Sequence, residues 1–107
     1  MKRGDLVTIV LKGNYGKPRP ALVIQSDFFS DHPSVTILPV TSELRQAPLF
    51  RIEVEPSPAN GLKKTSQVMV DKAQTVPSGK VSQVFGRLED ATMVSINRAF
   101  ALWLGFA

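Results

Sequence analysis

Hydrophobic and polar positions along this chain change period once, near residue 89. Before that point the apolar residues come in short runs or alternate. Leu6-Val7-Thr8-Ile9-Val10-Leu11 is apolar but for one threonine and rich in β-branched side chains, which predicts a strand buried on much of both faces. Gly13 and Gly16 bracket Asn14-Tyr15, a tight connection, and the next apolar run is Ala21 to Gln25; the two runs predict a hairpin with a basic tip. Val35 to Val40 is a third strand, and Pro39, lacking an N–H, requires an edge, a bulge or the strand's terminus. Phe50 to Val54 alternates, with Arg51 and Glu53 outward. Gln67 to Val70 is a further strand ending at Asp71, continued past a bulge by Ala73 to Val76, and Lys80 to Leu88 is the last. The polar connection from Asp27 to Ser34 holds Phe28 and Phe29, which are expected to tuck inwards.

From Glu89 onwards the spacing is helical. Met93, Ile96, Phe100 and Trp103 fall on one stripe, Glu89 and Asp90 complement the dipole at its start, and Gly105 is placed to end the helix. Strands with short turns and one closing helix predict a mainly β fold, a small twisted antiparallel sheet or partly open barrel. With no linker, repeat or low-complexity tract, residues 1–107 are expected to form a single domain.

Composition narrows the chemistry. At 43% apolar and 21% charged residues the chain is ordinary for a globular protein. The absence of cysteine excludes a disulfide framework, a thiolate metal site and a thiol nucleophile, and one histidine excludes a multi-histidine metal centre within one chain. No metal and no cofactor is expected. There is no leader-like segment and no apolar run of the ~18 residues that a membrane span needs, so a cytoplasmic location is expected. The net charge of +4 points to a polyanionic partner, and its distribution is sharper than the total. Acidic residues are missing from Leu6 to Ser26, where Lys12, Lys17 and Arg19 lie, and from Lys72 to Leu88, which holds Lys72, Lys80 and Arg87.

The stretch from Gly16 to Asp27 organises the candidate chemistry. Pro18 and Pro20 fix their own φ angles and bias Lys17 and Arg19 towards extended backbone. An arginine held in such a frame loses less entropy on gripping a phosphate than one on a loose loop. Thr41 and Ser42 follow the third strand, where a hydroxyl can be held rigidly, and Tyr15 on the hairpin tip can stack on a base. There is no Gly-x-x-x-x-Gly-Lys-Ser/Thr loop and no Gly-x-Ser-x-Gly elbow. Arginines, hydroxyls and isolated carboxylates suit metal-free cleavage of RNA by its own 2′-hydroxyl. A guanidinium would steady the phosphorane, a hydroxyl would donate to a non-bridging oxygen, and a carboxylate such as Asp71 would take the 2′-proton. Each residue also has a plainer reading: Arg19 as a solvated arginine at a strand entry, Thr41-Ser42 as a strand-end turn, Asp71 as a turn carboxylate, Arg87 as a solvated strand end, Tyr15 as a loop aromatic and His32 as a bystander.

Five short segments in order resemble the MazF/PemK toxin family along nearly the whole chain. They are Lys2-Arg3-Gly4-Asp5; Arg19 to Asp27; Pro39-Val40-Thr41-Ser42; Asn60-Gly61-Leu62 with Ser66-Gln67-Val68 and Asp71; and Gly86-Arg87-Leu88. The resemblance implies an SH3-like, partly open barrel of the CcdB/MazF toxin type with a C-terminal α-helix. It implies a sequence-selective endoribonuclease (an mRNA interferase) of a toxin–antitoxin system, acting on single-stranded RNA. It also implies a homodimer neutralised by a cognate antitoxin whose tail lies in the RNA groove. The family's active arginine falls on Arg19, its threonine on Thr41 beside Ser42, and the carboxylate used as a base in some members on Asp71. Lys12, Tyr15, Lys17, Ser42 and Arg87 are the expected RNA contacts. Two features depart from the family pattern: Met69 stands where those members carry an arginine two residues before the carboxylate, and the hairpin loop from Lys12 to Lys17 is short. They centre the expected mechanism on Arg19 and Thr41, with Asp71 supporting by positioning or proton transfer. The rival is a gyrase poison resembling CcdB, whose aromatic-Gly tail has a counterpart in Trp103 to Ala107; a non-catalytic nucleic-acid-binding barrel is a further alternative.

Overall fold

Three strands rich in β-branched and aliphatic residues carry the molecule: β1 (Asp5–Ile9), β2 (Arg19–Val23) and β3 (Ser34–Thr41). The computed structural model describes residues 1–10 and 17–107. β1 and β2 pair antiparallel from Leu6–Leu22 to Ile9–Arg19, and β2 pairs with β3 through Ala21–Pro39, Leu22–Leu38 and Val23–Ile37. Alternate residues of these strands enter two different apolar clusters, as the run-like pattern of β1 predicts. Leu6, Leu22, Leu38 and Val40 belong to one; Val7, Ile9, Val23 and Ile37 belong to the other.

The remaining strands are β4 (Arg51–Val54), β5 (Ser66–Met69), β6 (Gln74–Pro77) and β7 (Val81–Arg87). Sheet order is β4-β5-β3-β2-β1-β7, with β6 pairing to β3. β5 and β6 run one after the other along β3, separated by a 3-10 turn at Val70–Lys72. The expected continuation of the strand past an irregularity is therefore present. Pro39 falls opposite that interruption, between the pairs Ile37–Gln74 and Val40–Val68, where a missing N–H leaves no ladder bond unmade. Among the described residues the sheet is open, and β7, β4 and β6 are each paired on one side only.

The α-helix, α1 (Asp90–Leu104), ends on Gly105 in the left-handed conformation, φ 85°, as expected of a C-terminal glycine. Its Met93, Ile96 and Ala99 are buried in the first cluster, with Phe100 packed against it. Each large buried side chain contributes about 1.5–3 kcal/mol. Trp103 departs from the expected stripe: it is half exposed, with its ring 6.1 Å from that of Phe50. The last turn of the helix runs beyond the core that the earlier turns cover.

Phe28 and Phe29 also correct the expectation, since they are 87% and 54% exposed. Ser26 caps a 3-10 turn at Asp27–Phe29 by accepting from the Phe28 N–H, 3.1 Å. The Gln25 carboxamide underlies this loop instead. Its Nε2 donates to Phe29 O (3.1 Å) and Ser34 O (3.0 Å), and its Oε1 accepts from the Thr36 N–H. The two rings, left outside, contact each other edge to face.

Candidate active site

Arg19 begins β2, held between its two prolines and paired with Ile9 across the hairpin. Thr41 ends β3, one residue beyond the pair Val40–Val68. Both line one groove of about 660 Å³, together with Pro20, Pro39 and Ser42. Arg19 is exposed, and its guanidinium has no hydrogen-bond or ion-pair partner among the described residues. The Thr41 Oγ1 accepts from the Glu43 N–H, 3.0 Å. That bond makes the threonine a strand-end turn residue, as its plainer reading holds, and leaves its own O–H free to donate. The shared concave surface follows from register: Ala21 pairs with Pro39, which brings the start of β2 alongside the end of β3.

The groove is cationic. Among the described residues, Arg19, Arg51, Lys63, Lys64 and Lys72 line it against the single carboxylate of Glu43, four positive charges in excess. A concave surface of one sign concentrates field and draws in a polyanion. Arg51, expected to point outward from β4, is half buried and turned into this groove. Lys63 and Lys64 were not legible as site residues; they follow Asn60-Gly61-Leu62, and the fold of that turn carries them there. Asn60 is fully buried, its Oδ1 accepting from the Ser57 and Leu62 N–H groups and its Nδ2 donating to Glu55 O. Glu89, at the start of α1, accepts from Asn60 Nδ2 (3.3 Å) and Ser57 Oγ (3.3 Å) and so locks the turn to the helix.

The other expected site residues are distributed differently. Asp71 does not line the groove, although its neighbours Met69 and Lys72 do. Its side chain is 15% exposed, with Oδ2 3.3 Å from Lys72 Nζ and with Oδ1 buried and unpartnered among the described residues. Arg87 lies at the far end of β1, paired with Asp5 in register and in a 3.1 Å ion pair with its carboxylate. It does not reach the groove. Lys17 is exposed but off the groove wall, and Lys12 and Tyr15 lie outside the described residues. His32 is remote too: its Nδ1 accepts from the Ser34 N–H beside a small cleft of about 30 Å³.

Comparison with known proteins bears on this arrangement. The model of the PemK-like, MazF-like toxin family of type II toxin–antitoxin systems matches residues 2–104. A relative from Mycolicibacterium smegmatis, named probable endoribonuclease MazF, is 46% identical over 108 residues, covering 100% of this chain and 99% of that one. The fold of the Mycobacterium tuberculosis toxin MazF-mt6 matches with a TM-score of 0.82 at 23% identity, over 96% of this chain and 98% of that chain. A mycobacterial endoribonuclease solved in complex with its cognate antitoxin matches with a TM-score of 0.81 at 25% identity, over 100% and 97%.

Proposed function

This chain belongs to the PemK-like, MazF-like toxin family of type II toxin–antitoxin systems, and from that premise we propose how its groove cuts RNA. The protein is a MazF-like endoribonuclease toxin. One observation carries the mechanistic reading: Arg19 and Thr41 line the same cationic groove. Single-stranded RNA lies along it, its phosphates held by Lys63, Lys64 and Lys72. The 2′-oxygen attacks the adjacent phosphorus and the bond to the 5′-oxygen breaks, leaving a 2′,3′-cyclic phosphate and a 5′-hydroxyl. In balance, the 2′-hydroxyl proton ends on the departing 5′-oxygen, and no water is consumed.

Arg19 supplies the charge that steadies the phosphorane, its fork matching two non-bridging oxygens. Thr41 donates its free O–H to the same group, and Ser42 contacts the strand beside it. Asp71 supports from behind the wall, where its carboxylate holds Lys72. Lys12, Tyr15 and Lys17 are the further RNA contacts of this reading, from the sequence alone; Arg87, engaged with Asp5, does not join them.

We read residues 1–107 as one toxin domain that works as a homodimer, since a two-fold pair doubles the cationic surface offered to RNA. A cognate antitoxin is its protein partner. No helix among the described residues is long and apolar enough to cross a membrane, and the cytoplasm, where mRNA is met, is the proposed site of action. The comparisons support this reading and not the gyrase-poison alternative.

Incubation of the purified protein with RNA in EDTA tests it. Discrete fragments with 2′,3′-cyclic phosphate ends are expected, and sequencing those ends identifies the cut site. Failure to cut any RNA, or cleavage that EDTA abolishes, would overturn the reading.

A further inference from the structure

The half-buried guanidinium of Arg51 is held without a counter-ion. Its Nη1 donates to two neutral acceptors, Glu43 O at 3.1 Å and Gln67 Oε1 at 3.2 Å. It makes no ion pair among the described residues: the Glu43 carboxylate is bonded to Arg45 instead. Its Nε and Nη2 have no partner among those residues and the side chain lines the groove. A positive charge drawn partly out of water and left unneutralised is poised for an anion. The free side of its fork matches two phosphate oxygens.

The acceptor that holds it is itself fixed. Gln67 is 5% exposed, and its carboxamide closes a reciprocal pair with Arg45: Arg45 N donates to Oε1 and Nε2 donates to Arg45 O, both at 3.0 Å. Gln67 also stands directly across from Thr41 in the β3–β5 ladder. Arg51 in turn stands across from Met69, a neutral neighbour that also lines the groove. The carboxamide therefore ties together the loop after Thr41 and the guanidinium beside it.

We propose that Arg51 is a second catalytic arginine of the groove, binding the phosphate under attack, and that Gln67 is its positioning residue. The proposal rests on the reading of the groove as an RNA-cleaving site. It is tested by kinetics on an RNA that the wild type cuts and by the affinity for the same RNA carrying a 2′-deoxy sugar at the attacking position. Arg51→Ala should lower kcat by about 10²-fold while Kd for the uncleavable RNA changes less than about threefold. Arg51→Lys, which keeps the charge but not the fork, should recover little of that loss, and because its fold is spared it reads the chemistry alone. Gln67→Met should lower kcat by about tenfold, and the double variant should be no slower than Arg51→Ala, because Gln67 acts through Arg51.

A kcat for Arg51→Ala within about threefold of the wild type, or a Kd that rises as much as kcat falls, would reduce Arg51 to a remote phosphate contact and overturn the proposal. An additive double variant would overturn the role of Gln67. If Arg19→Ala cuts RNA as fast as the wild type, the reading of the groove itself has failed, a result distinguishable from failure at Arg51 alone.

Discussion

Gly86 and Asn60 meet backbone to backbone. A side chain at Gly86 would run into the carbonyl group and Cα of Asn60. The contact is sealed by the adjacent bond from the Arg87 N–H to Ala59 O, 2.9 Å. Gly86→Ala should accordingly destabilise the protein by about 3 kcal/mol, the upper end for overpacking, because backbone cannot yield as a flexible side chain does. Chemical denaturation measures this directly. A loss under about 1 kcal/mol would mean that the turn from Ser57 to Gly61 is freer than this packing implies.

Lys63 and Lys64 hang from that same turn, on the groove wall. Replacing either with alanine should weaken RNA binding with little dependence on base sequence. It should also reduce the slope of log affinity against log salt by about 0.7 per lysine, the value for a single strand. Titrations at several salt concentrations check it; an unchanged slope would remove these lysines from the phosphate track.

Thr41→Val keeps the shape of the side chain and removes its hydroxyl. Loss of the donor to the phosphorane should lower kcat by about 10²-fold. Loss of the acceptor for the Glu43 N–H should lower stability by only about 1 kcal/mol. Comparing cleavage rates with denaturation midpoints separates the two effects. Equal, small losses in both would make Thr41 a turn residue and nothing more.

Ile96 and Trp103 share the apolar stripe of α1 but not its environment. Ile96 is fully buried, so Ile96→Ala should cost about 2–5 kcal/mol. Trp103 is 52% exposed, and Trp103→Ala should cost about 1 kcal/mol, mostly its contact with Phe50. Thermal or urea melts of the two variants should differ accordingly.

Much of this architecture was legible from local pattern. The β-branched runs, the alternation at Phe50 to Val54 and the helical stripe each report a periodicity that neighbouring residues share. The proline frame of Arg19 was likewise local. What was hidden depends on pairing between distant segments. Arg51 reads as outward from alternation alone, yet the partner strand that sets it across from Met69 lies on the far side of an irregular turn. Asp71 matches a family position, but the 3-10 turn that carries it leaves its carboxylate off the groove wall. Phe28 and Phe29 were expected inside because hydrophobicity favours it; the Gln25 carboxamide underlies the loop there by satisfying three backbone groups at once.

The ion pair between Arg87 and Asp5 spans 82 residues of chain, and it belongs to a ladder that joins β1 to β7. A growing polypeptide on the ribosome therefore presents β1 long before its outer neighbour. Until Val81 to Arg87 emerges, that strand carries a bare edge. Closure of so long a loop makes folding slow relative to a helical protein of this size. An enzyme that attacks messages thus closes its own sheet only after some 80 codons beyond its first strand have been read.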